Sequence, residues 1–272
     1  MNTESRNPRS IGLDKLGAEQ IVRLMNEEEQ AVMRALQQAE KPIAVAIEKA
    51  AAAFQSGGRI IYVGAGTSGR VATMDAAEMP PTFGVEPDRF VALMAGGGDA
   101  GGKAIENAED EEHTAISSLN ALNLTRNDIV IGIAASGRTP YVLAACRHAR
   151  QKGVWTCGIA NNPKAPLFDQ VEHAILIETG PEVLTGSTRL KAGTAQKLVL
   201  NRISTGAMVL SGKVIENLMV DVKATNAKLK DRCIRILCDL TPCTQEEARD
   251  LLEQNGWQVR AAIQALKQNA SF

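Results

Sequence analysis

Ile60-Ile61-Tyr62-Val63-Gly64-Ala65-Gly66-Thr67-Ser68-Gly69-Arg70 reads as a buried strand, a glycine turn and the start of a helix. Ile60 to Val63 is a short apolar run rich in β-branched residues, as in strands covered on both faces. Gly64, Gly66 and Gly69 let the chain turn tightly and let a ligand come close to the backbone. Thr67 and Ser68 offer caps to the helix that follows. Free amides and the positive end of that helix make an anion site, and two hydroxyls at its mouth point to phosphate. The spacing also satisfies Gly-x-Gly-x-x-Gly, so dinucleotide binding is an alternative. That reading asks for an acid at the end of the next strand, about 20 residues on. The next strand, Phe90 to Met94, runs instead into Ala95-Gly96-Gly97-Gly98, and the first acid, Asp99, lies beyond the glycines. A tight turn holding no ligand is the plainer alternative.

Working outward, the same design recurs. Asp128 to Ala134 is an apolar strand, followed by Ala135-Ser136-Gly137-Arg138-Thr139-Pro140 and a helix over Tyr141–Gln151. Val154 to Ile159 and Ala174 to Ile177 complete five strands, and a loop from Thr179 to Ser187 precedes a long helix from about Thr188 to Leu210. Strands alternating with helices imply a doubly wound, parallel five-stranded α/β sheet with helices on both faces. Ligands bind beyond the carboxyl ends of such strands, where both Gly-Arg loops fall. Upstream, residues 1–12 read as a polar arm, Asp14 as the cap of a helix over Lys15–Ala39, and Lys41-Pro42 as its break before a second helix over Ile43–Gln55. A helix carrying Met74, Asp75 and Glu78 is expected to stop at Met79-Pro80-Pro81, and another from about Ala100 to carry Glu106 and Glu109. After Lys223 the character changes to three helices, Thr225–Leu240, Gln245–Gln254 and Val259–Gln268. Their pattern resembles a ubiquitin-associated (UBA-like) module, with a plain helical cap as the alternative. The expected organisation is 1–56 as arm and helices, 57–222 as the phosphate-binding domain and 223–272 as the C-terminal module.

Composition narrows the function. The chain has 272 residues, is 44% hydrophobic and 22% charged, and carries a net charge of −1 without a basic block, which argues against nucleic acid. Aromatics are 3%, too few for base stacking. No apolar run approaches the roughly 18 residues that span a membrane, and the start lacks the apolar core of a secretion signal. Five cysteines without Cys-x-x-Cys spacing point to reduced thiols in a cytoplasm. Three scattered histidines give little support for a metal.

The two strand–Gly/Ser loops together resemble the sugar isomerase (SIS) fold, which binds phosphosugars. Within it, Gly64 to Arg70, Glu78-Met79-Pro80-Pro81-Thr82-Phe83-Gly84, Ala135 to Tyr141, Leu184-Thr185-Gly186-Ser187-Thr188-Arg189-Leu190-Lys191-Ala192-Gly193-Thr194-Ala195-Gln196-Lys197 and Asn217-Leu218-Met219-Val220-Asp221-Val222-Lys223-Ala224-Thr225-Asn226 are similar to the N-acetylmuramic acid 6-phosphate etherases. The likeness starts near Ser5-Arg6-Asn7-Pro8. The family often has Ser-Glu-Cys where this chain has Ala77-Glu78-Met79, and its members carry further helix beyond the position of Phe272.

The resemblance implies cleavage of the D-lactyl ether of the phosphosugar to N-acetylglucosamine 6-phosphate and D-lactate, by elimination and then water addition, in cell-wall sugar recycling. It implies no metal and no cofactor. Glu78 and Glu109 match the two catalytic glutamates: Glu78 as acid to the departing lactate and then base to water, Glu109 as base to the C2 proton. On residue type alone a helical glutamate is a solvated charge. Ser68, Ser136 and Thr139 are expected to hold phosphate through their hydroxyls, with Thr67 at the same mouth and Gly66, Gly69 and Gly137 giving backbone access. Arg70 and Arg138 are expected either to pair with phosphate or lactate carboxylate or to be structural. Ser187, Thr188 and Lys191 are expected to face the sugar. The family further implies a homodimer with the pocket near the subunit interface, for which the long N-terminal helix and the Lys191–Leu210 helix are candidates. Two rivals stand beside the etherase, an aldose–ketose phosphosugar isomerase and a non-catalytic phosphosugar sensor.

Overall fold

The computed structural model describes residues 2–103, 105 and 107–269. Five strands form one sheet: β1 (Ile60–Gly64), β2 (Phe90–Met94), β3 (Ile129–Ile133), β4 (Trp155–Ala160) and β5 (His173–Leu176). All neighbouring pairs are parallel, in the order β2-β1-β3-β4-β5. The chain leaves β1 toward one edge, makes β2, and returns to the other side of β1 as β3. The order therefore reverses between β1 and β3, and the crevice at their carboxyl ends is where such sheets take ligands. The register sets Gly64 beside both Met94 and Ile133, so the loops that follow emerge at one level.

The helices are α1 (Ala18–Gln38), α2 (Glu40–Gln55), α3 (Gly66–Phe83), α4 (Glu112–Ala121), α5 (Pro140–Gln151), α6 (Leu167–Gln170), α7 (Lys191–Leu210), α8 (Ala227–Leu240), α9 (Gln245–Gln254) and α10 (Val259–Asn269). On one face, Tyr141, Val142, Ala145 and Cys146 of α5 cluster with Ile61, Val63 and Val130 of the sheet, all buried. Fully burying each such aliphatic side chain is worth about 1.5–3 kcal/mol. The other side chains of the same strands meet other helices: the Tyr62 hydroxyl donates to Asp75 of α3 at 2.9 Å. Asp75 also accepts from Asn201 and Ser204 of α7, at 2.6 and 3.1 Å. Burial pushes the Asp75 carboxyl up, against the lowering effect of these bonds. At the amino ends of β1 and β3, Asp128 accepts from the Arg59 amide at 2.8 Å, from its Nε at 3.0 Å and from its Nη2 at 2.8 Å. Burial would raise the Asp128 carboxyl, but the Arg59 and Thr125 bonds and the Arg59 charge outweigh it and hold the carboxyl below its ordinary range.

Several boundaries differ from the expected ones. Asp14 does not cap α1; it sits in a 3-10 turn (Leu13–Lys15), and the helix starts after Gly17, whose amide donates to Gln20 Oε1 at 3.0 Å. The break before α2 falls at Ala39, and Pro42 lies in the first turn of α2, where a missing N–H is harmless. Pro80 and Pro81 lie inside α3, which runs on to Phe83 and closes where the Gly84 amide donates to Pro80 O at 3.0 Å. The helix expected from Ala100 is replaced by 3-10 turns at Gly98–Gly101 and Ala108–Asp110, the second entered through Asn107 at φ 62°. Glu106 lies outside the described residues, as do 270–272.

Compactness divides the chain into one unit of residues 1–76 and 88–207 and a second of residues 77–87 and 208–272. The first holds the sheet. In the second, Cys233, Ile234 and Leu237 of α8 pack with Ala248 and Leu252 of α9 and with Val259 and Ala262 of α10. A reciprocal cap starts α9: Thr244 accepts the Glu247 amide, and Glu247 accepts the Thr244 amide at 2.8 Å.

Candidate functional site

The first loop passes directly from β1 into α3. Gly66 opens the helix at φ 53°, and a Cβ built there would meet nothing within 4 Å, so this stretch of backbone is bare. It lines a cavity of about 200 Å3 with Arg70, Met94, Lys103, Asn107 and Glu109. Arg70 gives Nε to Gly101 O at 3.2 Å and Nη2 to Lys103 O at 3.1 Å. Two of its five N–H donors thus hold the loop after β2, and three remain. Gly69 and Ser68 are buried, and Thr67 is half-buried with its methyl carbon against Gly193 of α7.

Ser68 belongs to a buried chain of hydrogen bonds. Its hydroxyl donates to Gln196 Oε1 at 2.8 Å, Gln196 Nε2 donates to Asn161 Oδ1 at 3.1 Å, and Asn161 Nδ2 donates to Ile177 O at 2.8 Å. A backbone carbonyl only accepts. Ile177 O therefore requires the Asn161 amino group, which turns the Asn161 oxygen to Gln196 and the Gln196 oxygen to Ser68. The Ser68 proton is committed to Gln196, which leaves its oxygen only as an acceptor.

The second loop is tied through its backbone carbonyls, Ala135 O to the Asn161 amide and Gly137 O to the Leu167 amide, each at 3.0 Å. Gly137 is buried at φ 68°, and a Cβ there would lie 2.3 Å from the Ala165 Cβ. Ser136 Oγ accepts the Arg138 amide at 3.1 Å, which leaves its proton free for a ligand. Arg138 is exposed; Ser136 and Thr139 are half-buried, and Thr139 precedes the Pro140 that begins α5. Pro at that position loses no helical bond.

The third group does not sit as expected. α7 begins at Lys191, not Thr188; Ser187 and Thr188 occupy the preceding turn, half-buried. Lys191 is buried, and its Nζ donates to Glu28 of α1 at 2.7 Å. Its amine is thus held by an ion pair inside the unit instead of standing open to a sugar. Glu182 caps α7, accepting the Lys191 and Ala192 amides at 3.0 and 2.9 Å, while burial pushes its carboxyl up. For Glu28, burial raises the carboxyl, but bonds from Lys191 and Asn7 and the charges of Lys191 and Arg9 outweigh it and lower it.

Glu109 stands in the 3-10 turn and lines the 200 Å3 cavity with Gly66 and Arg70. Glu78 lies on the exposed side of α3, within the second compact unit. Sequence reasoning missed Gln196 and Asn161, the buried partners of Ser68, and the docking of the arm. Thr3 is fully buried: its hydroxyl accepts from Asn162 Nδ2 at 2.9 Å, and Asn162 also donates to Ala135 O of the second loop at 3.0 Å. Asn7 donates to Glu28 at 2.6 Å and to Pro181 O at 3.3 Å. The only signal for these residues was that Asn7 and Gln196 fall inside resembling stretches.

Residues 42–150 match the family described as glucokinase regulatory protein N-terminal SIS domain, and residues 108–203 match the SIS domain. An N-acetylmuramic acid 6-phosphate etherase of Serratia proteamaculans is 52% identical over 96% of this chain and 88% of its own. The etherase of Salmonella typhi is 51% identical over the same shares. Among solved structures, a phosphoheptose isomerase from Francisella tularensis aligns with a TM-score of 0.54 at 17% identity, over 71% of this chain and 98% of that one. Another from Neisseria gonorrhoeae gives 0.53 at 20%, over 71% and 98%. At such identities these structures speak for the fold alone.

Proposed function

The chain belongs to the N-acetylmuramic acid 6-phosphate etherase family and is an enzyme of that class, and we propose that Glu78 and Glu109 carry its reaction. In the open-chain sugar, C2–H lies beside the aldehyde. Glu109 takes that proton, the electron pair forms the C2–C3 double bond, and the C3–O bond to lactate breaks. Glu78 gives the departing oxygen a proton, then takes one from the water that adds at C3, while C2 regains its hydrogen. The products are N-acetylglucosamine 6-phosphate and D-lactate. One base and one acid suffice for this sequence.

The observation that supports the reading best is the cavity at the carboxyl ends of β1 and β2, where Glu109, the bare backbone of Gly66 and the spare donors of Arg70 line one space. The phosphate is assigned to the two loops, with Thr67, Gly69, Ser136, Gly137 and Thr139 around it and Arg138 at its exposed side. Ser187 and Thr188 are assigned to the sugar. A homodimer completes the reading, and light scattering at twice 29.0 kDa checks it. A cytoplasmic setting suits the thiols: burial pushes Cys146 up to about 12 and Cys157 higher still, so neither is reactive. Among the described residues no helix is long and apolar enough to cross a membrane.

The test is D-lactate release from N-acetylmuramic acid 6-phosphate. The native chain is expected to release it, and Glu78→Gln and Glu109→Gln each to lose about 10²–10⁴-fold in kcat. Both side chains are exposed, so their unfolding curves should match the native one. Ketose formation without lactate would replace the proposal by an isomerase, and binding without turnover by a sensor.

A further inference from the structure

Val220 to Thr225, from the stretch Asn217 to Asn226 that the catalytic reading leaves without a role, wall a second cavity of about 720 Å3 within the second compact unit. The cavity's charged lining is four cations, Lys213, Lys223, Lys230 and Arg260, against the single carboxylate of Asp221. Asp221 is already engaged: it accepts from Arg260 Nε at 2.7 Å and Nη2 at 3.0 Å, and Lys213 Nζ stands 3.4 Å away. Lys223 is exposed and has no ion pair among the described residues. Lys230 Nζ lies 4.6 Å above the Trp257 ring, another part of the wall.

An excess of positive charge in a concave space is at odds with a chain whose net charge is −1. A concavity lined by one sign focuses its field and concentrates counter-ions. Trp257 also holds φ 61°, a conformation uncommon for a bulky residue, fixed by its amide donating to Leu252 O at 2.7 Å. The fold thus keeps an indole beside the lysines, giving the wall a flat apolar surface as well as charge. We propose that this cavity is a second anion site, built for a phosphorylated small molecule whose phosphate meets Lys223 and Lys230 and whose body lies along Trp257.

The chain has two tryptophans, so in a Trp155→Phe background Trp257 is the only indole. Trp155 stacks on His173 in the first unit, and phenylalanine keeps a ring there. Titration with inorganic phosphate against chloride, at matched ionic strength, is expected to give a saturable change in Trp257 emission. Adding Lys223→Glu should raise the Kd at least tenfold, and Lys230→Gln should raise it less, with circular dichroism showing that both variants stay folded. No saturable change, or a Kd indifferent to Lys223→Glu, would overturn the proposal. The readout is binding without turnover, so it stands or falls separately from lactate release.

Discussion

The loops after β1 and β3 read alike in sequence, each an apolar strand running into small residues, hydroxyls and Gly-Arg, yet they are fastened in different ways. The first is held from afar. Ser68 is tied through Gln196 and Asn161 to the Ile177 carbonyl, and Arg70 is tied to the loop after β2. The second is held through its backbone: Ala135 O accepts from the Asn161 amide and from Asn162 Nδ2, each at 3.0 Å, Gly137 O accepts the Leu167 amide at 3.0 Å, Ser136 accepts from Arg138 two residues on, and Gly137 fits against Ala165 only because it lacks a Cβ. The hydroxyls consequently have opposite polarity: the Ser68 proton is spent on Gln196, while the Ser136 proton is left for a ligand. Similar motifs can therefore be chemically complementary, and what sets the difference is the partner, not the motif.

The sharpest way to break this comparison is at the glycines. In Gly137→Ala the new methyl must enter space held by Ala165, at a positive φ, and the expected loss is about 3 kcal/mol or more in urea unfolding. In Gly66→Ala only the backbone conformation is penalised, about 1–2 kcal/mol, because no atom lies within 4 Å. Its larger effect should be on KM, since the methyl would stand where a ligand approaches bare backbone. Equal stability losses would show that the two loops are not fastened as described.

The next effect acts on both loops alike. Arg59 and Asp128 join the amino ends of β1 and β3, the strands that deliver the loops. Asp128→Asn should cost about 1–3 kcal/mol at pH 7 without separating the loops' contributions to KM. The Asp128 carboxyl is lowered in the folded state relative to about 3.9 in an unfolded chain, so its contribution is full above that value and is lost as pH falls through the folded one. Unfolding curves of variant and native chain should therefore converge as pH falls through the folded value, and a gap that persisted below it would remove the ion-pair explanation.

The sheet was legible because buried parallel strands are continuous apolar runs, such as Ile129 to Ile133, that need no partner to be recognised. The first loop was legible as an anion site from its glycines and hydroxyls. The direction of its proton was not, because Gln196 lies 128 residues from Ser68 and a lone glutamine on a helix carries no periodic signal. Lys191 shows the same gap: a lysine at a helix start reads as ligand-facing until Glu28, 163 residues away, is placed on its amine. Thr3 looked like part of a free arm, and only the fold brings Asn162 to it. Pro80 and Pro81 were read as a stop, whereas α3 runs on through them to Phe83.

The smallest expected effect separates the two serines themselves. Ser136→Ala removes a local bond to the Arg138 amide, about 0.5–1 kcal/mol of stability. Ser68→Ala leaves the buried Gln196 oxygen without a donor and should cost more, about 1–3 kcal/mol. Their substrate effects should differ in pH dependence. A phosphate monoester loses its second proton near pH 6, so above that value every phosphate oxygen is an acceptor and below it one can donate. Ser136, a donor on the proposed reading, matters most for the dianion: its loss should raise KM about tenfold at pH 7.5 and less at pH 5.5. Ser68 cannot donate while Gln196 holds its proton, so Ser68→Ala should not show a KM penalty that grows above pH 6. If it does, the ligand has reversed the chain of amides, Ile177 O has lost its donor, and the two loops are alike in the complex despite differing in the free protein.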